Sequence, residues 1–467
     1  MGTASGLFYS SNDTEKQTLH RRITPSDEQF KQQQERWNEL ADHLTADLRT
    51  RSGCSIRTWL QGSYKFGTQV RPPRLNEEFD IDLGIFYCWK GQADSGPLAP
   101  AALRDHTHGS LVDFAKSADG VLKVTEPPKP RCARIHYDGS FHIDIPSYHL
   151  DPDADERTLA AKDGWEISDP KALYMWFKDH FDEGGRARVR RQIRYLKCWA
   201  GLKWKIDDGR PSSVLLTILA ADAFARLSAE EVGADDDTLL ALLRRISTRL
   251  ARGGTIRNPV NPSENINRLS DNEWTTFSDG IDEFIEIAES ACTADNEVEA
   301  ADRWSNAFAH FFPMPETATA IVSESLAKST SIVPAMRPDV LVKAVARNNT
   351  NIRFSGTNQI GPIPKGCDII FDLVDPWNLP RGTTVEWIVR NEGGEAENIN
   401  DMGHLAGTGH RAREQSAYVG THYMDCVLRN GGRVFGVRRV PVRISGVPAA
   451  LRNLVNRPAY TRLIGRR

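Results

Sequence analysis

The sequence predicts a mixed α/β core with a helical lobe, followed by a C-terminal immunoglobulin-like β-sandwich. Three observations carry this expectation. Short apolar strands and one amphipathic helix fill the first third of the chain, apolar positions recur at helical spacing from Tyr174 to Ala225 and from Asp236 to Arg252, and the texture turns to β beyond Asn348. The expected domains are a catalytic lobe at 1–170, a helical lobe at 171–316, a linker at 317–347 and a sandwich at 348–467.

In chain order, Phe30, Trp37, Leu40, Leu44 and Leu48 define an amphipathic helix over Ser26 to Thr50, with Ser26, Asp27 and Gln29 as capping signals and Gly53 past its end. Strand Ser55 to Gln61 follows and runs into a Gly62-Ser63 turn. Further strands are expected at Phe79 to Tyr87, Val121 to Thr125, Cys132 to Tyr137 and Phe141 to Ile145, the last two joined at Asp138-Gly139. In the helical lobe, Arg252 to Asn267 is rich in Gly, Pro and Asn and reads as a loop before helices resume over Asp271 to Phe312. Thr317 to Pro338 has linker composition. The β region offers strands at Cys367 to Val374, Thr384 to Arg390, His422 to Arg429, Arg433 to Arg438 and Pro441 to Ile444. Cys367, Trp387 and Cys426 follow the immunoglobulin Cys…Trp…Cys order, although Tyr423 stands three rather than two residues before Cys426.

Composition narrows the function. With 467 residues, 40% of them hydrophobic, the chain is long enough for two or three cores, and a formal net charge of −3 argues against bulk electrostatic capture of nucleic acid. Seven cysteines without a C-x-x-C pair suggest free thiols in a reducing compartment, read here as the cytoplasm. Neither a secretory leader nor a bilayer-spanning apolar run is expected.

The chemistry concentrates in Gln61-Gly-Ser63, Asp80-Ile-Asp82 and Asp144. A Gly-Ser turn offers backbone N–H groups to phosphate oxygens, and carboxylates two apart on a strand project from one face, where they can hold hard divalent cations. Alone, each is more often a turn or a solvated edge. Together they form an ordered set, and Asp144 between Ile143 and Ile145 needs a metal or hydrogen-bond donors to offset its desolvation. Arg186, Arg190, Arg194 and Lys197 form a basic stripe at helical spacing, either a solvated face or a contact for triphosphate and a polyanionic partner. In the β region, His404, His410 and His422 suggest no metal site, and Gly403 to Arg413 reads as a recognition loop.

These motifs resemble the bacterial cGAS/DncV-like nucleotidyltransferases, which share a catalytic core with cyclic GMP-AMP synthase and oligoadenylate synthase. The match runs from about Ile23 to Pro313 and includes Arg191 to Trp199, Pro211 to Thr217 and Asn258 to Pro262. The segment from about Asn348 to Val447 resembles the adenylyl/guanylyl and SMODS C-terminal sensor domain fused to such enzymes. The resemblance implies a polymerase-beta-like nucleotidyltransferase core using two Mg²⁺ or Mn²⁺ ions on Asp80, Asp82 and Asp144. It places donor triphosphate on Ser63, Lys197 and either Ser212, which the sequence favours, or Ser213, with Gly62 in the phosphate-binding turn and Gln61 at the nucleotide edge, and acceptor phosphates near Arg131 or Arg134. The expected reaction joins NTPs such as ATP or GTP into a cyclic di- or trinucleotide for antiphage defence, with a phage-derived trigger at the C-terminal domain and a downstream effector. Template-independent transfer to RNA or protein, or a silent ligand sensor, are the alternatives. Sixteen residues between Ser63 and Asp80 and a full helical lobe disfavour a minimal transferase, and three intact carboxylates disfavour a silent fold.

Overall fold

Helix α3 (Asp27–Ser52) starts where its signals lie. Ser26 accepts from the Gln29 N–H while the Gln29 side chain reaches back to the Ser26 N–H, and Gly53 closes the helix in the left-handed region at φ 71°. This computed structural model describes residues 2–12, 17–74, 77–315, 336–347, 349–431 and 433–446. The expected linker at Thr317 to Pro338 lies almost wholly outside them.

The chain divides into two units, Met1–Cys292 with Asn398–Asn400, and Thr293–Glu397 with Asp401–Arg467. The first is built on one sheet. Strands β1 (Ser55–Gln61), β2 (Phe79–Cys88), β3 (Val121–Val124), β4 (Ala133–Tyr137), β5 (Phe141–Ile145), β6 (Ser147–Asp151), β7 (Glu156–Ala161) and β8 (Gly164–Ile167) take the order β3-β4-β5-β2-β6-β7-β8, with β1 antiparallel to β2. Both β5 and β6 run parallel to β2, on either side of Pro146. Ile81, Leu83, Ile143 and Ile145 point into the core with Leu40, Leu44 and Leu48 of α3, so the alternate residues of β2 and β5 face outward.

Helix α5 (Pro100–Ala115) also packs on this core, an element the sequence reading did not mark. Helices α6 (Pro170–His180), α7 (Glu183–Lys203), α8 (Ser213–Phe224), α9 (Asp235–Leu250) and α10 (Asp271–Cys292) supply the helical part. Between α9 and α10 the expected loop contains a short hairpin of Arg257–Asn258 with Asn261–Asn265.

The second unit is a β-rich domain whose two sheets share one core. A four-stranded sheet contains β11 (Val340–Ala346), β12 (Asn349–Thr357), β14 (Cys367–Leu373) and β17 (Arg411–Gln415), in the order β12-β11-β14-β17. The five-stranded sheet contains β13 (Ile360–Pro364), β15 (Thr383–Arg390), β16 (Gly403–Thr408), β18 (Gly420–Asn430) and β19 (Arg433–Ser445), in the order β13-β19-β18-β15-β16. Val342, Ile369 and Phe371 from one sheet meet Trp387, Cys426 and Val440 from the other. Two readings need correcting: Gly403 to Arg413 forms β16, a tight turn and the start of β17 rather than a loop, and β19 runs unbroken where two strands were expected. Helix α11 (Glu297–Phe308), which the sequence division assigns to the helical lobe, groups with this unit: Asp302 ion-pairs with Arg429 at 2.5 Å, and Arg390 donates to the His310 and Phe312 carbonyls at 2.8 and 2.7 Å.

Candidate active site

The site forms where β1, β2 and β5 run side by side. Register sets Gln61 beside Asp82, Asp82 beside Asp144, and Asp80 beside His142. Helix α4 (Gly62–Phe66) begins directly after β1, which places Ser63 in its first turn. Gly62 has φ +60°, and a Cβ there would lie 1.8 Å from Asp82 Oδ2, so this carboxylate leans against a backbone that only glycine allows.

The three aspartates differ in their partners. Asp144 takes the guanidinium of Arg134 in a two-point fork, with the Nη2 bond at 2.7 Å, and Lys129 at 3.6 Å. Burial opposes its ionisation, but Arg134, Lys129 and His142 outweigh burial and hold Asp144 below the usual carboxylate range. Asp80 is within 2.9 Å of His142 Nε2. Among the described residues Asp82 has no cation within ion-pair distance, and burial, reinforced by Asp80 and Asp144, pushes its carboxyl well above the usual range. Carboxylates on neighbouring strands, about 5 Å apart, repel by on the order of 3 kcal/mol at a surface-like dielectric. The group therefore fits a divalent cation. Its donors are carboxylate oxygens, and burial pushes up the Cys132 thiol lining the same cavity, so no thiolate competes.

Behind Asp80 stands a relay that sequence reasoning missed. His142 Nδ1 meets Glu78 at 2.9 Å, and His136 meets the same Glu78 oxygen at 2.8 Å. The His142 hydrogen bond, aided by His136 against burial, takes Glu78 down to about 2. For His142 itself, burial is outweighed by Asp80 and Glu78 and its pKa rises; for His136 burial prevails and the pKa falls. The signal was present, since His142 has the same strand parity as Asp144.

Two cavities meet at Asp80. One, of about 410 Å³, is lined by Gln61, Gly62, Ser63, Asp80, Asp82 and Asp144 together with the rings of Tyr148 and Trp176. The other, of about 400 Å³, is charged, with Glu77, Lys129, Arg134, His142 and Arg210 in its wall. Ser63, Thr68, Asp80, Lys197 and Ser213 line both. Gln61 bonds Tyr148 Oη at 3.3 Å, and Arg210 is clamped by Glu77. Lys197 Nζ donates to the Thr68 hydroxyl at 3.0 Å and its carbonyl at 3.3 Å; burial, then Arg194, push the ammonium down to about 7 despite Asp82 and Asp80.

Some expected roles redistribute. The Ser212 hydroxyl accepts from the Leu215 N–H as the N-cap of α8, so exposed Ser213 is the serine that faces both cavities, against the preference for Ser212. Arg131 pairs with Glu166 at 2.7 Å. The arginines of the basic stripe serve the chain itself: Arg186 donates to the Lys178 and Phe181 carbonyls, Arg190 to the Phe66 carbonyl at 2.7 Å, and half-buried Arg194 meets His20 at 3.0 Å.

Comparison with known proteins agrees with this geometry. Residues 56–148 match the family described as cyclic GMP-AMP synthase DncV-like, nucleotidyltransferase domain, and residues 320–445 match the adenylyl/guanylyl and SMODS C-terminal sensor domain. A cyclic GMP-AMP synthase of Escherichia albertii is 26% identical over 443 residues, covering 94% of this chain and 95% of the relative. A c-di-GMP synthase of Roseivirga ehrenbergii is 23% identical over 49% of this chain and 65% of its own length. Among solved structures, the Vibrio cholerae DncV cyclic AMP-GMP synthase in complex with the linear intermediate 5′ pppA(3′,5′)pG superposes with a TM-score of 0.57 at 18% identity, over 67% of this chain and 96% of that one, and so shares the fold. The chain thus combines a segment similar to the DncV-like nucleotidyltransferase domain with one similar to the adenylyl/guanylyl and SMODS C-terminal sensor domain, it is similar over nearly its whole length to a cyclic GMP-AMP synthase, and it is a nucleotidyltransferase.

Proposed function

We propose that the enzyme joins NTPs into a cyclic di- or trinucleotide with release of pyrophosphate. The observation that carries this reading is the pair of adjoining cavities with one shared wall containing Ser63, Asp80, Lys197 and Ser213. One nucleotide occupies each. The aromatic cavity takes the donor, its triphosphate held by Gly62, Ser63, Lys197 and Ser213, with Gln61 and Ser212 supporting that wall. The charged cavity takes the acceptor, whose hydroxyl oxygen attacks the donor α-phosphorus. A new P–O bond forms, the bond to the β-phosphate oxygen breaks, pyrophosphate leaves with the electron pair, and the hydroxyl proton passes to Asp144. Asp80, Asp82 and Asp144 would hold two Mg²⁺ or Mn²⁺ ions, which when bound polarise the phosphoryl oxygens and stabilise charge on the attacking and leaving oxygens. A second transfer in the same site closes the ring.

The β-rich domain is read as immunoglobulin-like. Cys367 in one sheet, Trp387 beside Cys426 in the other, and β13 parallel to β19 support that order. Its fusion to a second-messenger synthase supports a role in antiphage signalling, with a phage-derived trigger upstream and an effector downstream. All seven cysteines are unpaired, in keeping with a cytoplasmic setting, and among the described residues no helix is long and apolar enough to cross a membrane. Incubation with labelled NTPs and Mg²⁺ or Mn²⁺, then phosphatase and mass analysis, tests the reading. A phosphatase-resistant ring is expected; only linear or protein-bound nucleotide would refute it.

A further inference from the structure

Glu78, His136 and His142 form a second group of metal-ligand type beside the three aspartates, and one ligand atom from each lies within 4.8 Å of the other two. The sheet assembles it. Glu78 immediately precedes β2, while His136 of β4 stands directly opposite His142 of β5, so both rings share one face with centroids 5.6 Å apart. Their Nδ1 atoms meet one and the same oxygen, Glu78 Oε2, at 2.8 and 2.9 Å. The far nitrogens are backed in turn. His136 Nε2 lies 2.9 Å from the Thr125 hydroxyl, and His142 Nε2 lies 2.9 Å from Asp80. Glu78 and His142 also line the charged chamber of about 400 Å³, which gives the group a route to solvent.

Two imidazoles and a carboxylate suit a divalent transition metal, whereas Mg²⁺ and Ca²⁺ take oxygen ligands. Separations of 2.8 and 2.9 Å subtend roughly a right angle at metal–nitrogen distances of about 2.1 Å, which is the face of an octahedron and fits Mn²⁺ or Fe²⁺ better than tetrahedral Zn²⁺. The outer partners fit as well. A histidine that ligates through one nitrogen donates from the other to a fixed acceptor, and Asp80 and Thr125 stand where those acceptors belong. Hydrogen bonds alone satisfy the group less simply, because carboxylates face both nitrogens of His142 and the ring would need a proton on each.

We infer that Glu78, His136 and His142 bind a divalent ion of their own, Mn²⁺ or Fe²⁺, distinct from the ions proposed for the aspartates. An ion on His142 Nδ1 leaves the ring hydrogen on Nε2, facing Asp80, so this site steadies Asp80 without itself touching substrate. The inference does not rest on the reaction proposed above, since its readout is metal binding. It is tested on the full chain, stripped with chelator and returned to excess Mg²⁺ to fill the all-oxygen sites, with Mn²⁺ as the probe. After gel filtration one Mn²⁺ per chain is expected to remain, and pulsed EPR is expected to show two histidine nitrogens coupled to it, identified by isotopic labelling of histidine. His136→Ala is expected to remove one coupling and weaken retention by at least about tenfold, and Thr125→Val, which loses only an outer partner, by about tenfold. Because the couplings are read on the unaltered chain, a variant that fails to fold leaves the test intact. Complete loss of Mn²⁺ to Mg²⁺, or unchanged retention in folded His136→Ala, overturns the proposal. So do fewer than two nitrogen couplings, since a single one would put the ion on Asp80, His142 and Asp144 instead.

Discussion

At position 62 a single methyl group would displace Asp82, one of the three carboxylates proposed to hold metal. Because a Cβ there would overlap Asp82, Gly62→Ala is expected to lower pyrophosphate release by at least about a hundredfold through a misplacement of about 1 Å, with circular dichroism unchanged. Near-normal turnover by the folded variant would show that Asp82 does not need this position. Lys197 allows a sharper separation of function from stability. Among the described residues its buried ammonium hydrogen-bonds neutral oxygens only, so Lys197→Met is expected to keep or raise the melting temperature while raising the KM for NTPs. A fall in melting temperature with unchanged KM would make it a structural residue. That Ser63, Asp80, Asp82, Asp144 and Lys197 meet around one cavity was legible from strand parity and helix spacing. The choice between Ser212 and Ser213 was not, because it depends on which hydroxyl caps α8, a matter of one residue's backbone angles.

Among the elements, those with both a period and a punctuation mark were readable. Helix α3 carries its capping box in sequence, and Ser26→Ala is expected to cost about 1 kcal/mol in denaturant titration. Helix α5 went unread because its apolar residues do not gather on one face, and β6 to β8 because β6, buried along nearly its whole length, lacks the alternation of a half-exposed strand. Strands β16 and β17 were hidden by Gly403, Gly407 and Gly409, which mark loops elsewhere but here have φ between 105° and 141° at strand positions and a tight turn. Their edges are tied by His404 and Glu414, and the Glu414 hydrogen bond raises His404. A raised histidine contributes stability that is complete below its unfolded value, about 6.5, and lost as pH rises through the folded one. The loss of melting temperature in Glu414→Gln is therefore expected to be largest near pH 6 and to shrink towards pH 8, as followed by thermal scans. A pH-independent difference would remove the ion pair from the account.

For the molecule as a whole, the contact boundary at Cys292/Thr293 decides where it can be cut. Helix α11 brings buried Trp304, Phe308 and Phe312, and the carbonyls that follow are held by Arg390 and by Arg439 at 2.8 Å. A chain stopped at residue 315 leaves those rings without the strands that cover them, and size-exclusion chromatography is expected to show aggregation, whereas one stopped at Cys292 stays monodisperse. Equal behaviour of the two would place the boundary elsewhere. The sequence division places its boundary at 316/317 instead, because composition marks solvent-loving chain and not the last residue whose side chain belongs to a core.

The wall common to the two catalytic chambers has a consequence for how such an enzyme changes over generations. Ser63, Asp80, Lys197 and Ser213 stand on that wall, while Asp82, Asp144 and the rings of Tyr148 and Trp176 line one chamber and the Glu77–Arg210 ion pair the other. On the reading proposed above, drift at Trp176 or Tyr148 would alter which base is donated without touching what accepts, and drift at Arg210 or Glu77 the reverse. A lineage can thus rewrite its chemical signal one letter at a time while the reaction that writes it is inherited intact.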